Sequence, residues 1–308
     1  MVVQCRALAS AMGIDGVPKI IVPRMPWRWL PGFYWIAPLR AAGRGSDSLM
    51  PPWPELTISC GRYGGAMALG IKRTSGGKTF TVHIQNPQIP LQYFDVVVAP
   101  RHDHLSGRNV VNTMGSLHTI TPDSLAAAAR QVAHQVAHLP RPLVAVLIGG
   151  ANRYYRLGIP EAEGLAALLA EAYRNYGAGF ALTPSRRTSQ EVIKTLRRSL
   201  HHVPHVLWDE HGENPYFGYL GLADHIVVTS DSVNMTTEAC ATGKPIHVFH
   251  LPGESRRFSD FHKSMENAGM TRRFTGTLES WDYPPLLESP GVARLVWERF
   301  AQAKSSAD

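Results

Sequence analysis

The sequence predicts an α/β protein made of two doubly wound domains that face a cleft. Short apolar runs rich in β-branched residues alternate with segments of helical periodicity, which is typical of parallel sheets covered on both faces. This alternation occurs twice, on either side of the proline-containing segment LPRP at 139–142. The length of 308 residues also suits two domains of about 150 residues each better than one.

The first half of the chain predicts four strands and three helices. We expect helices from the N-terminal residues to Gly13, at 61–73 and at 122–139, where Thr121 caps the helix and Pro122 occupies its first turn. The apolar runs predict strands at 19–23, 56–60, 79–85 and 94–100.

The second half repeats the pattern. The strands are predicted at 143–150, 179–185, 205–209, 225–229 and 246–249, and the helices at 161–177, 189–200, 233–242, 258–270 and 291–303. We therefore place one domain at 1–140 and a second at 141–290. The segment 291–308 is then a final helix that crosses back onto the first domain, followed by a short tail.

Polar and charged residues follow six of the predicted strands. Ligands of open parallel sheets bind at the carboxyl ends of the strands, so these residues are the first candidates for a site. They are Arg62; Asn86; Arg101, His102, Asp103 and His104; Gly149, Gly150, Asn152 and Arg153; Ser185, Arg186 and Arg187; and Ser230, Asp231 and Ser232.

The last of these strand ends, TSDS at 229–232, leads into a helix that Asp231 or Ser232 can cap. A helix start is a ready anion site, because its first N–H groups are free and its dipole is positive there. Glu238 lies one turn from Asn234 on the same helix face, where a carboxylate can accept hydrogen bonds from a ribose diol. The alternative is an ordinary capped crossover with a solvated Glu238.

Composition limits the classes of partner. Lys and Arg number 31 and Asp and Glu 24, a net charge of +7 that favours anionic partners such as nucleotides or anionic membrane surfaces. No block of consecutive basic residues is present, so we expect no nucleic-acid partner. Three cysteines without CxxC spacing, no run of about 18 apolar residues and no signal peptide predict a cytoplasmic protein, at most peripheral at the inner face of a membrane.

The stretch TSDSVNMTTEACATGKPIHVF resembles the C-terminal signature of the elongated-mitochondria fission family, whose members are GT-B-like and are assigned to the glycosyltransferases. Further motifs occur in the family's order, so that the resemblance covers about residues 4–270. They are IQNP (84–87), FDVVVAPRHD (94–103), NVVNTMGSLHTIT (109–121), GG (149–150), TPSRRT (183–188) and NPYFGYLGLADHIVVTSDS (214–232).

The resemblance implies two Rossmann-like domains with a nucleotide-sugar donor held by the second. Helix starts and arginines can clamp a diphosphate, so we assign the donor set to Gly149, Gly150, Arg153, Ser185, Arg186, Ser230, Asp231 and Ser232, and the resemblance supports Glu238 as the ribose ligand. It also implies a first strand and a glycine-containing loop ahead of the helix that starts near Gln4, and we expect that strand to be missing here. The implied reaction is transfer of a sugar from a nucleoside diphosphate to an envelope glycan or glycolipid, without a cofactor or metal.

Transfer to a hydroxyl group often needs a base, and His102 with Asp103 is the best candidate pair. Arg62, Asn86, Arg101 and His118 complete the predicted acceptor side. Two other functions stay open. One is a non-catalytic scaffold, as in the plant fission members of the family, and the other is a sugar-nucleotide epimerase on the same fold.

Residues 26–40 read PWRWLPGFYWIAPLR, with three Trp, one Tyr, one Phe and two Arg among three prolines. One interpretation is an interfacial patch that contacts an anionic membrane. The other is an irregular loop that packs its aromatic side chains on the first domain. The sequence favours the second.

Overall fold

The structure is a computed structural model, and it describes residues 2–305. It confirms the predicted fold class, an α/β protein with two parallel sheets. The chain divides into two compact units. Unit 1 combines the described residues up to Thr119 with those from Leu287 onward, and unit 2 is Ile120–Leu286.

Unit 1 contains a four-stranded parallel sheet in the order β1-β2-β3-β4. Its strands are β1 (Leu56–Cys60), β2 (Phe80–Ile84), β3 (Val96–Pro100) and β4 (Val110–Thr113). The helices of this unit are α1 (Val2–Ala11), α2 (Gly61–Thr74) and α9 (Ser289–Ser305).

The two faces of this sheet bury different side chains of the same strand. Val96 and Val98 of β3 face the core formed with α1 and α9, whereas Val97 and Ala99 face the core formed with α2. Successive side chains of a strand point to opposite faces, so a strand buried on both sides reads as a continuous apolar run. The run at 94–100 therefore marked a central strand.

Two strand predictions in this half differ from the structure. Residues 19–23 form no strand and have only an isolated bridge between Pro23 and Ala42. Three of these five residues are exposed, and the amides of Ile20 and Val22 donate instead to the Asp47 and Ser46 side chains. Conversely, β4 was missed, because polar residues interrupt its short apolar run.

Unit 2 contains a six-stranded parallel sheet in the order β10-β9-β8-β5-β6-β7. Its strands are β5 (Leu143–Ile148), β6 (Gly179–Pro184), β7 (His205–Leu207), β8 (His225–Thr229), β9 (Ile246–Phe249) and β10 (Thr271–Arg273). The chain moves outward from β5 to β7 and then returns to β8 on the other side. The switch point of this doubly wound sheet, where ligands bind in such folds, therefore lies between β5 and β8.

Unit 2 contains six α-helices, of which α3 precedes the first strand and the other five connect successive strands. They are α3 (Pro122–Val136), α4 (Ile159–Tyr176), α5 (Gln190–Ser199), α6 (Tyr216–Leu222), α7 (Val233–Cys240) and α8 (Arg256–Asn267). The predicted capping of α3 is present, since the Thr121 side chain accepts from the Ser124 amide and the Ser124 side chain accepts from the Thr121 amide. Helix α6 and strand β10 were not predicted.

The unit boundary lies before α3 instead of after it, where the sequence suggested residue 140. Helix α3 packs closely on α6, which also belongs to unit 2. A Cβ on Gly218 would lie 2.2 Å from Val132 Cγ2, and one on Gly221 would lie 2.6 Å from the Leu125 carbonyl oxygen. Glycine at both positions lets the two helices approach at backbone distance. At the other end of the chain, α9 packs on α1 and on the unit 1 sheet.

No helix among residues 2–305 is long and apolar enough to cross a membrane. The three cysteines are free. Cys5 of α1 and Cys60 at the end of β1, distant in sequence, are hydrogen-bonded to each other through their side chains. This contact and burial raise the pKa of the Cys5 thiol.

Candidate functional site

The carboxylate of Asp231 connects three strand ends of unit 2. Its Oδ2 accepts from the Gly150 amide at 3.0 Å and from Arg187 Nη2 at 2.7 Å, and its Oδ1 accepts from Thr229 Oγ1 at 2.7 Å. The side chain is fully buried. A buried carboxylate is tolerated only when it is paired and hydrogen-bonded, and Asp231 meets both conditions. It therefore fastens the loops after β5 and β6 to the end of β8.

The loop after β6 is held by further bonds to the loop after β5. Arg187 Nη1 donates to the Gly150 carbonyl at 3.1 Å. Thr188 Oγ1 donates to the carbonyl groups of Gly149 and Ile148 and accepts from the Ser185 amide. The switch point is thus preorganised by contacts within the protein.

The two glycines after β5 are required by this packing. A Cβ on Gly149 would lie 2.1 Å from Asp231 Oδ1, and one on Gly150 would lie 2.2 Å from the Arg187 carbonyl oxygen. The sequence placed both glycines in the set that holds the nucleotide-sugar donor. The structure shows that Asp231 and Arg187 already occupy the space beside both residues.

The two serines of the TSDS turn also bond within the protein. Ser230 Oγ accepts from the Leu251 amide at 3.0 Å, and the Ser230 carbonyl oxygen lies 2.8 Å from His262 Nε2. Ser232 is the N-cap of α7, since its Oγ accepts from the Met235 amide at 3.3 Å. The Ser230 side chain is buried, so a ligand at this turn would meet the α7 backbone and Ser232.

Glu238, one turn into α7, is hydrogen-bonded to Tyr216 of α6. Its Oε2 accepts from the Tyr216 hydroxyl at 2.7 Å. Burial raises the pKa of the Glu238 carboxyl, and the Tyr216 hydrogen bond opposes this rise only in part. Burial and the adjacent carboxylate raise the pKa of Tyr216 well above its usual value, so its hydroxyl stays a proton donor. Glu238 is therefore partly buried and hydrogen-bonded to Tyr216.

The predicted donor arginines are exposed. Arg153 stacks over the ring of Tyr154, with its guanidinium carbon 4.4 Å from the ring centroid. Arg186 makes no side-chain hydrogen bond or ion pair to any other residue between 2 and 305. Asn152 orders the same loop, because its Oδ1 accepts from the amides of Tyr154 and Tyr155. Both guanidinium groups remain accessible to an anion.

In unit 1, His102 and Asp103 lie on a single helical turn directly after β3. His102 Nε2 lies 4.0 Å from Asp103 Oδ1, and both side chains are buried. The turn closes at His104, whose φ of 52° places it in the left-handed region, uncommon for a residue with a side chain. Gln85, after β2, also has a positive φ, of 76°. Strained backbone of this kind often marks functional loops.

The other predicted acceptor residues have separate contacts. Arg62 Nη2 donates to the Arg28 carbonyl at 3.1 Å, and Asn86 Oδ1 accepts from the Gln88 amide at 2.9 Å. His118 is buried, and its carbonyl accepts from Ser289 Oγ at 2.9 Å. Arg101 is exposed, and its charge lowers the pKa of Glu288, although burial raises that pKa overall.

Sequence reasoning assigned no specific role to Arg187, Tyr216 or His83. Arg187, not Arg186, makes the ion pair to Asp231, and spacing alone does not separate two adjacent arginines. Tyr216 supports Glu238 from a helix that was not predicted. His83 of β2 lies with Nδ1 2.8 Å from Ser59 Oγ, and burial lowers the pKa of His83 to about 3. A neutral, buried histidine of this kind is a structural residue.

Two cavities of unit 1 have linings that include none of these strand-end residues. One of about 590 Å³ is lined by residues between Leu39 and Trp53 together with Thr74. The other, of about 10 Å³, has Gly32 and Tyr93 among its lining residues. Neither is lined by Asp231, Glu238 or His102.

Comparisons with known proteins agree with this architecture. The sequence profile of a family described as Mitochondrial fission ELM1 matches residues 1–300. Mitochondrial fission protein ELM1 of Arabidopsis thaliana is 34% identical over 275 residues, which cover 80% of this chain and 64% of the plant protein. Uncharacterized protein RP120 of Rickettsia prowazekii (strain Madrid E) is 26% identical over 283 residues, covering 79% of each chain.

Solved structures with a similar fold include that of a Listeria monocytogenes protein. This protein, assigned as a UDP-N-acetylglucosamine 2-epimerase, superimposes with a TM-score of 0.50 at 12% identity, over 81% of this chain and 69% of that chain. At this identity the likeness concerns the fold alone, which is GT-B-like. The chain spans 64% of the length of its Arabidopsis relative, somewhat less than two thirds.

Proposed function

The chain belongs to the Mitochondrial fission ELM1 family, and on that premise we propose that it binds a nucleotide-diphosphate sugar through unit 2 and transfers the sugar to an envelope glycan or glycolipid. The arrangement of Glu238 on α7 carries the proposal. Its carboxylate is partly buried and accepts a hydrogen bond from Tyr216, one turn beyond a helix start that follows the switch point of a doubly wound sheet.

Each part of the donor has a chemical counterpart in unit 2. The first-turn N–H groups of α7 suit the diphosphate, because a helix start binds anions. Arg153 and Arg186 supply accessible guanidinium groups for the charge that develops on the leaving diphosphate. The Glu238 carboxylate suits the ribose diol, since two hydroxyl donors can share its oxygens.

The transfer itself forms a bond between the acceptor oxygen and the anomeric carbon and breaks the bond from that carbon to the diphosphate. The acceptor hydroxyl loses its proton, and His102 is our candidate to receive it. Asp103, with Oδ1 4.0 Å from His102 Nε2, would stabilise the imidazolium that forms. The nucleoside diphosphate is the leaving group, so no cofactor is consumed.

A scaffold function is the second candidate. Its support is that Asp231, Ser230, Gly149 and Gly150 are all used in contacts within the protein, as a purely structural switch point also requires. The Arabidopsis relative is named for mitochondrial fission and not for a reaction. An epimerase function has only the fold of the Listeria protein in its favour.

A thermal-shift panel of nucleoside diphosphates and their sugar conjugates tests the proposal. We expect one nucleoside series to raise the melting temperature of the wild-type protein and to raise that of the Glu238→Gln variant much less, because the amide is a poorer partner for a diol. If no member of the panel stabilises the wild-type protein, the scaffold function is favoured instead.

A further inference from the structure

One segment of unit 1 exposes a dense group of large apolar side chains. Trp29 is 76% exposed, Tyr34 65% and Ile36 94%. Nearby, the same segment also exposes Met25, Leu30 and Phe33. We call residues 24–44 the aromatic segment. Exposed apolar residues are ordinary when they are scattered, but a contiguous group marks an interaction surface.

The aromatic segment is anchored and not loose. Trp35 is 1% exposed, its ring stacks on Tyr63 with centroids 5.8 Å apart, and its Nε1 donates to the Leu30 carbonyl at 3.2 Å. The Arg28 carbonyl accepts from the Tyr63 hydroxyl at 2.9 Å. The expectation that the aromatics pack on the domain therefore holds for Trp35. Trp29 and Ile36 stay outside while their backbone is held in place.

Between Asp15 and Asp47 the chain carries charge of one sign only. Residues 16–46 include Lys19, Arg24, Arg28, Arg40 and Arg44 and contain no Asp or Glu. All five basic side chains are exposed. Among residues 2–305, no carboxylate forms an ion pair with any of them. Their positive charge is therefore not neutralised within the protein.

We propose that the aromatic segment is a docking surface for an anionic lipid bilayer. Tryptophan and tyrosine favour the membrane–water interface, where an apolar ring and a polar group are both accommodated. Unpaired arginines beside them complement the phosphates of anionic headgroups. The combination of both features in one exposed segment is that of an interfacial anchor, which lies on a membrane without crossing it.

A second copy of this chain fits the surface less well. A two-fold interface places the same patch against itself, so the five basic residues of one copy would face those of the other. Without acidic residues between 16 and 46, this repulsion has no compensation. The proposal does not depend on the function of unit 2, since nothing in it involves a nucleotide.

Flotation of the full chain with lipid vesicles tests the proposal. We expect binding to vesicles of phosphatidylcholine mixed with phosphatidylglycerol, weaker binding to phosphatidylcholine alone, and loss of binding at high ionic strength. The variant Trp29→Ser/Ile36→Ser should lower the partition coefficient about tenfold by removing apolar insertion. Arg28→Gln/Arg44→Gln should remove most of the preference for anionic lipid.

The matched control changes two exposed apolar residues at the ends of α4 in unit 2, Ile159→Ser/Tyr176→Ser, and should bind as the wild-type protein does. A second measurement tests whether Trp29 itself lies in the lipid bilayer. Nitroxide-labelled lipids should quench tryptophan fluorescence in the wild-type protein, and Trp29→Phe should lose most of this quenching.

Three results overturn the proposal. They are absence of flotation with anionic vesicles at low ionic strength, unchanged flotation of the Trp29→Ser/Ile36→Ser variant, and a lipid-free dimer that this variant abolishes, which would assign the surface to a second copy. Thermal unfolding of each variant shows whether its fold is retained, because all the substituted side chains are exposed.

Discussion

The guanidinium of Arg187 lies 2.7 Å from the carboxylate of Asp231, and this ion pair joins the loops that follow β6 and β8. The two partners differ in environment, since the Asp231 side chain is fully buried and that of Arg187 is 42% exposed. Loss of the arginine therefore leaves a buried charge without its counterion, whereas loss of the carboxylate leaves a solvated guanidinium.

This asymmetry predicts unequal effects on stability. Arg187→Ala should lower the free energy of unfolding by about 2 kcal/mol, less than for a fully buried pair because water reaches the guanidinium. In the double variant Arg187→Ala/Asp231→Asn the loss should be smaller than the sum of the single losses, since no uncompensated charge remains. Urea denaturation measures all three. Strict additivity would contradict the role assigned to the pair.

The packing beside Gly149 predicts a steric effect. Gly149→Ala should destabilise the protein by about 2 kcal/mol or more, because the new Cβ would overlap Asp231 Oδ1. The control is Gly164→Ala on the exposed side of α4, where the nearest atom is 3.9 Å away. This substitution should stabilise by up to about 1 kcal/mol through helix propensity. Equal melting temperatures for the two variants would argue against close packing at Gly149.

Glu238 predicts a pH dependence of stability. Burial raises the pKa of its carboxyl above the ordinary value of 4.5, so the folded state holds this proton more tightly than the unfolded state. Stability contributed by Glu238 is therefore lost as pH rises above 4.5 and through the raised pKa. The Glu238→Gln variant lacks this loss, so its stability relative to the wild-type protein should increase with pH in urea titrations. A constant difference across pH would place Glu238 in water.

His83 predicts that stability changes with pH in the opposite direction in the acid range. Burial lowers the pKa of its imidazole from 6.5 to about 3. The unfolded state binds the proton first, so stability should fall as pH decreases from 6.5 towards 3. In the His83→Asn variant, which retains a polar partner for Ser59, this fall should be shallower. Burial also lowers the pKa of His247 in unit 2 to about 4, so His247 still contributes to the loss of stability at acid pH. Identical acid profiles for variant and wild type would contradict a buried neutral His83.

Secondary structure was predicted most accurately from the sequence where a strand is buried on both faces. Strand β8 was predicted with its observed bounds, because a continuous β-branched run indicates a strand buried on both faces. The strand prediction failed at residues 19–23, because this apolar run has no neighbouring strand to pair with. Hydrogen-bond pairing between distant segments is not visible in local composition.

For the candidate site, the sequence located the strand ends but not the direction of their side chains. Residues such as Asp231 and Ser230 suit a ligand site and also suit a locked turn, because both uses need short polar side chains. The structure gives both residues partners far away in sequence, Gly150 for Asp231 and Leu251 for Ser230. The Glu238–Tyr216 contact likewise required the tertiary fold.

Calorimetric titration of the nucleoside diphosphate that best stabilises the protein tests the central claim, nucleotide binding by unit 2, most directly. The wild-type protein should bind this ligand about tenfold more tightly than its 2′,3′-dideoxy analogue. This ratio corresponds to the loss of two ribose hydrogen bonds that together contribute about 1–2 kcal/mol. Glu238→Ala should bind both equally, while Glu171→Ala, on α4, should discriminate as the wild-type protein does. The claim is contradicted if no nucleoside diphosphate binds, or if Glu238→Ala still prefers the ribose.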